Sequence, residues 1–163
     1  MIYSELESPV GKLLLVSDGV CLTGLYMDKE PLSQWQRKDE AEIFCATRKW
    51  LDSYFAGQPE PAADIPLQPE GTAFQKRVWD ILCTIPWGKS RSYGDLARQL
   101  AAELGKERMS AQAVGQAVGR NPVSILVPCH RVVGADGSLT GYAGGLDRKK
   151  WLLCHEGWKG AKR

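Results

Sequence analysis

A cysteine and a histidine stand side by side at Cys129-His130, between Pro128 and Arg131 and at the end of the apolar run Val123-Ser124-Ile125-Leu126-Val127. The run marks the segment as buried, and a buried thiol beside a titratable base fills a core poorly. It makes a protected nucleophile well, because the thiolate is the reactive form and an adjacent imidazole can take the proton. A half-buried core cysteine with a chance neighbour is the ordinary explanation of one such pair taken alone.

The elements that must hold this pair are legible around it. At 163 residues, with 44% hydrophobic and 25% charged residues, the chain is one ordinary globular domain or two small ones. No apolar run approaches the roughly 20 residues of a membrane helix, and Met1-Ile2-Tyr3-Ser4-Glu5 does not open a basic segment with an apolar core. A cytoplasmic protein with no membrane partner is expected. Five scattered cysteines without a C-x-x-C and only two histidines, His130 and His155, predict neither a disulfide framework nor a metal site. Net charge is +2, but residues 1–70 hold 6 Lys+Arg against 12 Asp+Glu, and residues 71–163 hold 15 against 7. A basic C-terminal half suits either a polyanion partner or a merely solvated face.

The proline-rich stretch from Gly57 to Gly71 reads as a linker between an α/β N-terminal domain (1–66) and a mainly α C-terminal domain (71–163). Before it, Ile2 to Glu7, Leu13 to Ser17 and Val20 to Met27 read as strands, with a turn at Pro9-Val10-Gly11. Glu40 to Phe55 carries Ile43, Trp50, Leu51, Tyr54 and Phe55 at helical spacing. After it, Thr72 with Gln75 is a capping-box signal before a helix stopped by Pro86-Trp87-Gly88. Ser92 with Asp95 caps a second helix and Ser110 a third, Ala111 to Gly119, closed by Asn121-Pro122. The last two suggest a helix-turn-helix, although the loop between them is longer than the usual turn. Ala111, Gly115 and Gly119 recur every four residues and give the last helix one smooth face. Each glycine costs about 1 kcal/mol in a helix relative to alanine, so something needs the missing side chains. Either another helix packs closely there, or the helix enters a groove too narrow for side chains. A DNA minor groove is only about 6 Å wide.

Pro128-Cys129-His130-Arg131-Val132 together with Gly141-Tyr142-Ala143-Gly144-Gly145 closely resembles the active-site signature of the O6-alkylguanine-DNA alkyltransferases. The resemblance extends through Ile85-Pro86-Trp87-Gly88, Ser92-Tyr93-Gly94, Ala113-Val114-Gly115, Asn121-Pro122 and Leu152-Leu153-Cys154-His155-Glu156-Gly157, roughly half the chain. It implies a ribonuclease-H-like N-terminal domain and a C-terminal domain with a winged-helix-like helix-turn-helix. It also implies repair of double-stranded DNA carrying alkylated bases, by direct, stoichiometric transfer of the alkyl group from O6-alkylguanine to the protein's own cysteine. By the same resemblance Cys129 is the nucleophile, His130 removes its proton through a water, and Glu156 orients that histidine. Asn121 braces the turn between recognition helix and active-site strand, and Tyr93 donates to the departing base. Ser124, Val132, Tyr142, Ala143 and Gly144 would line the pocket with Tyr93. Ala111, Gln112, Gly115, Arg120 and Arg131 would meet the DNA, the recognition helix lying in the minor groove and the base turned out of the duplex. The protein would act as a monomer with no cofactor, since the alkyl donor is the DNA itself.

Two departures stand out. Relatives carry an arginine on the recognition helix that takes the place of the evicted base, and here that position is Gln112, with Arg120 two turns further along. Some relatives have proline where Ser124 stands. Cys129 separates the chain from the alkyltransferase-like proteins, which bind the same lesions with tryptophan at that position and do not repair. The alternative from another class is a lesion-binding, signalling module that keeps the cysteine but reacts poorly. A cysteine hydrolase is weaker, because no oxyanion motif is visible.

Overall fold

Aliphatic residues on either side of Pro9-Val10 fold the first segment into a hairpin. Strand β1 (Ile2–Ser8) pairs antiparallel with β2 (Gly11–Ser17), Ser8 opposite Gly11, and Gly11 takes φ 99°, a conformation open to glycine. Strand β3 (Leu22–Met27) pairs antiparallel with β2, and the short β4 (Gln36–Arg37), which no sequence signal announces, pairs parallel with β1. The order is β3-β2-β1-β4. Helix α1 (Glu42–Phe55) buries Ile43, Phe44, Thr47, Leu51 and Tyr54, whereas Trp50 and Phe55, expected on that stripe, are half-buried.

The computed structural model describes residues 1–58 and 64–160, in two compact units. The first holds Met1–Glu70 and, from far along the chain, Pro122–Leu126; the second holds Gly71–Asn121 and the chain from Val127 on. Two short segments extend the sheet at β3. Leu67 pairs with Leu22 through Leu22 N–H to Pro66 O (2.8 Å) and Gln68 N–H to Leu22 O (2.9 Å). Val123 pairs with Leu25 through Leu25 N–H to Pro122 O (2.9 Å) and Ser124 N–H to Leu25 O (3.1 Å). The reading of Gly57 to Gly71 as a linker is therefore corrected for Pro66–Gln68, which is edge strand; Pro59, Glu60 and Pro61 lie outside the described residues. A proline suits such an edge because only its carbonyl is called upon.

In the second unit each expected cap forms. Thr72 Oγ1 accepts from Gln75 N–H (3.0 Å) while Gln75 Oε1 accepts from Thr72 N–H (2.9 Å), opening α2 (Ala73–Leu82). Ser92 caps α3 (Tyr93–Glu103) and Ser110 caps α4 (Ala111–Gly119). Helix α5 (Leu146–His155) follows. Helices α2, α3 and α4 pack on one another through Val78, Trp79, Leu96, Leu100, Val114 and Val118, all buried. The indole of Trp79 donates to Ala117 O (2.9 Å) and ties α2 to α4. Two dipeptide strands, β5 (Arg91–Ser92) and β6 (Val132–Val133), pair in parallel. Tyr93 directly follows β5 and the Cys129-His130-Arg131 turn directly precedes β6, so this small ladder brings the two together. No helix among the described residues is long and apolar enough to cross a membrane.

The segment expected as an active-site strand is a chain of tight turns instead. Leu126 N–H bonds Ser124 O (2.8 Å) around Ile125, whose φ is 71°. This is the rare γ-turn, and positive φ is strained for a β-branched residue. Cys129 N–H bonds Val127 O (2.8 Å) around Pro128 at φ −81°, ψ 66°, the relaxed inverse γ-turn. A single helical turn, Cys129–Arg131, follows. Apolar content marks burial in such a segment but not extension. Trp79→Phe removes the donor to Ala117 O and leaves the space of the lost ring atoms in a buried position. It is expected to lower the unfolding free energy by about 1–3 kcal/mol, read from the midpoint of urea denaturation.

Candidate active site

Where the chain leaves the second unit at Asn121 and re-enters it at Val127, the two ends are clasped: Asn121 Nδ2 donates to Val127 O (2.8 Å). The Asn121 side chain also hydrogen-bonds the Cys129 thiol. Cys129 thus sits on a backbone held from one side by Asn121 and from the other by β6, and it is 6% exposed. Burial pushes its thiol up, against the Asn121 bond and the charge of Lys149, which pull it down. The thiol rests protonated and needs a base to react.

That base is next to it in sequence. His130 is fully buried, and its Nε2 lies 2.7 Å from Glu156 Oε2. Burial lowers the imidazole below its usual value despite the opposing pull of Glu156, so the ring is neutral. Burial disfavours the Glu156 carboxylate too, but the bonds from His130 and Arg131 outweigh it and hold Glu156 at about 2. The contact is therefore a hydrogen bond from a neutral imidazole to an ionised carboxylate, and Arg131 provides the positive charge. A carboxylate only accepts, so Nε2 carries the proton and Nδ1 keeps its lone pair. Nδ1 is buried and has no hydrogen-bond partner among the described residues.

Arg131 corrects an expectation. The resemblance implies that it meets DNA, but Nε and Nη2 reach the Glu156 oxygens at 2.8 and 3.0 Å, Nη1 reaches Ile85 O at 2.6 Å, and the side chain is 11% exposed. A guanidinium committed to a buried carboxylate and a carbonyl is not available to a phosphate.

A cavity of about 110 Å³ opens onto Cys129, walled by Tyr93 and Gly115 on one side and Gly141, Tyr142 and Ala143 on another. Ser124, Val132 and Gly144, expected on the wall, are not part of it. Ser124 belongs to the edge segment on β3, Val132 is fully buried in β6, and Gly144 O accepts from Arg148 (3.3 Å). The Tyr93 hydroxyl donates to Thr140 O (2.9 Å). Burial raises the phenol above its usual value.

Lys149 is the residue that sequence reasoning missed. It is fully buried, and its ammonium donates to Thr140 O (3.0 Å) and Gly141 O (3.2 Å) and lies 3.5 Å from the Tyr93 hydroxyl. Burial lowers it to about 8, with Cys129 opposing. In Arg148-Lys149-Lys150 it reads as one of a solvated basic run. Yet Lys149, Leu152, Leu153 and Glu156 recur at helical spacing and all four are buried, which is the signal that could have found it.

On α4, Ala111, Gln112 and Gly119 are exposed and Gly115 is half-buried, and Arg120, which follows its last residue, is exposed. A Cβ added at Gly119 would meet nothing within 4 Å, and one at Gly115 would meet only the Tyr93 ring at 3.6 Å, an ordinary contact. Close packing within the described residues therefore does not account for these two glycines.

Residues 1–69 match the family model described as 6-O-methylguanine DNA methyltransferase, ribonuclease-like domain. Residues 73–158 match 6-O-methylguanine DNA methyltransferase, DNA binding domain. The chain belongs to the 6-O-methylguanine DNA methyltransferase family. Within that family it is 42% identical over 156 residues to the methylated-DNA–protein-cysteine methyltransferase of Haemophilus influenzae, covering 94% of this chain and 84% of that protein. The structure is similar to Mycobacterium tuberculosis OGT in complex with DNA, with a TM-score of 0.85 and 44% identity over 96% of this chain and 92% of that one. An O6-methylguanine DNA methyltransferase from Methanococcus jannaschii gives a TM-score of 0.67 at 31% identity, over 94% and 92% of the two chains. In this family member the first unit is a sheet-containing domain and the second a helical, DNA-binding one.

Glu156 ordinarily titrates at 4.5 and in the folded protein at about 2. Its ionised form therefore stabilises the fold fully above pH 4.5, and that contribution is lost as pH falls toward 2. Glu156→Gln is expected to cost roughly 3–5 kcal/mol at neutral pH, by leaving Arg131 without its anion. It should also flatten this part of the acid limb in denaturation followed against pH.

Proposed function

We propose that this protein repairs DNA by moving the alkyl group of O6-alkylguanine onto Cys129, once per molecule. What carries the proposal is the juxtaposition at one cavity of a protonated, buried thiol and a phenol, with a buried neutral histidine next to that thiol whose free nitrogen has no partner. His130 Nδ1 takes the Cys129 proton through a water, and Glu156 stabilises the imidazolium that forms. The thiolate then attacks the alkyl carbon in line. The S–C bond forms as the C–O6 bond breaks, and the electron pair leaves on guanine. Tyr93 donates a hydrogen bond to the departing guanine anion, turning from Thr140 O to do so, and the anion takes up a proton from water as the His130 imidazolium gives its own back to solvent. Lys149, bonded to the carbonyls of Thr140 and Gly141, holds the wall against which Tyr93 rests and favours the developing thiolate by its charge. The products are an S-alkylcysteine and an intact guanine, and no cofactor takes part.

The substrate is double-stranded DNA bearing the lesion, approached from the minor groove by α4, with the base turned into the cavity. The open space beside Gly119 and the ordinary contact at Gly115 support a helix kept bare for a narrow groove. In this scheme residues 1–66 form a ribonuclease-H-like domain and 71–163 a winged-helix-like one, and the protein works as a cytoplasmic monomer. Gln112, exposed on the first turn of α4, fills the space of the evicted base by hydrogen bonding alone, without the charge and stacking of an arginine.

Incubation with duplex DNA containing O6-methylguanine is expected to raise the intact mass by one methyl group in place of a proton, and peptide mapping to find it on Cys129. Cys129→Ser should bind the same DNA with no gain in mass. Binding without any gain in the unaltered protein would instead support a lesion-binding module. Gln112→Arg is expected to speed transfer from duplex DNA several-fold and leave transfer from the free base unchanged, since a free base needs no extrusion. An identical duplex-to-free-base rate ratio for Gln, Arg and Ala at 112 would remove that residue from extrusion.

A further inference from the structure

Seven residues, Leu104 to Ser110, separate α3 from α4, where a helix-turn-helix ordinarily uses three or four. The extra length is not loose. Gly105, at φ 67°, ends α3, with Gly105 N–H to Ala102 O (3.3 Å) and Lys106 N–H to Ala101 O (2.8 Å). These two bonds form a Schellman motif that fixes the backbone of Lys106. At the other end Ser110 Oγ caps α4 through Ala113 N–H (3.2 Å). Only Glu107, Arg108 and Met109 lie between the two anchors, and Met109 is half-buried.

This pinned loop borders a groove of about 440 Å³ that runs from α3 to the first residue of α4. Its floor is small and apolar, formed by Ala97, Ala101 and Ala102, and its rim carries Arg98, Lys106 and Arg108. Arg77 is paired with Glu103 at 2.7 Å and Arg91 with Asp95 at 2.7 Å. The rim cations are not held in that way. Lys106 and Arg108 are exposed and form no ion pair among the described residues. Arg98 is 75% exposed and reaches only 3.7 Å from Asp95, a carboxylate already taken by Arg91. One acid, Glu107, shares the groove with these three cations and leaves them in excess.

We infer that this groove is a DNA-backbone clamp, in which Arg98, Lys106 and Arg108 hold phosphates of the strand beside α4 while sugars lie on the alanine floor. The inference rests on the proposed function and adds to it the means by which the duplex is held. Charge complementarity favours a polyanion, and continuity with Ala111 at the start of α4 favours the same duplex that α4 enters. None of the nine residues of α4 is charged and Arg120 lies past its far end, so a clamp just before its first turn supplies electrostatic attraction where the helix itself lacks it.

The test is the full chain with Arg98→Gln, Lys106→Gln and Arg108→Gln combined, titrated with a duplex carrying O6-methylguanine over a range of salt. For each phosphate no longer held, the slope of log K against log salt should become shallower by about 0.9, so the triple variant should give up roughly two to three slope units. Duplex affinity at low salt should fall at least tenfold, equally for undamaged DNA, because phosphates carry no sequence information. Transfer from duplex should slow at limiting DNA and recover at saturation, while transfer from free O6-methylguanine stays unchanged. Lys106→Arg with Arg108→Lys, which keeps the charge, should keep the slope. An unaltered slope with normal free-base transfer would remove the loop from the DNA and leave the repair function standing. A triple variant that also loses free-base transfer would make the three residues structural. Failure of the unaltered protein to react with either substrate would overturn the repair function itself.

Discussion

A single buried carboxylate organises the second unit. Glu156 closes α5, and it accepts one hydrogen bond from His130 and two from Arg131, which in turn reaches the carbonyl of Ile85, just beyond α2. An anion taken from water is costly unless its charge and its lone pairs are both met. Here the guanidinium meets the charge and the imidazole completes the shell. Burial keeps His130 uncharged and the charge of Arg131 adds to that effect, and an uncharged ring with its proton directed to Glu156 has its other nitrogen available. Had Arg131 been directed outward, Glu156 would have pulled His130 toward the charged state with one opposing charge fewer, and a charged histidine cannot accept a proton from a thiol.

Helix α5 carries a second buried charge on the same face. Lys149 and Glu156 stand two turns apart, about 10 Å along the axis at roughly 1.5 Å per residue, with Leu152 and Leu153 between them, both fully buried. The helix therefore presents a cation to the cavity wall and an anion to the histidine, held by an apolar middle. Its inward stripe reads as mixed in the sequence for that reason, because two of the inward positions are ionisable.

Local signals were the legible ones. Thr72, Ser92 and Ser110 announce three helix starts through side-chain oxygens placed to receive a backbone N–H, and each bond forms. The pair Cys129-His130 and the glycine motif around Tyr142 likewise mark residues that share or adjoin one cavity. What stayed hidden depends on partners distant in the chain. The dipeptide strands β4, β5 and β6 are too short to carry a period. Pro66–Gln68 became sheet because Leu22 offered a free edge, and Pro122–Ser124 because Leu25 did. The turn around Ile125 contradicts the preference of a branched residue, so no reading of propensity could anticipate it. An arginine beside a nucleophile looks available until its carboxylate is placed, and for Arg131 that carboxylate lies 25 positions away.

The room for a methyl group at Gly115 and Gly119 has an evolutionary corollary. Within a helix alanine is worth up to about 1 kcal/mol more than glycine, and here a methyl group would meet nothing at Gly119 and only the Tyr93 ring, at an ordinary 3.6 Å, at Gly115. A population under pressure for heat tolerance alone would therefore drift to alanine at both positions and gain robustness at each step. Wherever the glycines persist, some selective force other than folding is holding them, and the two positions act as a record of whether the surface they line is still in use.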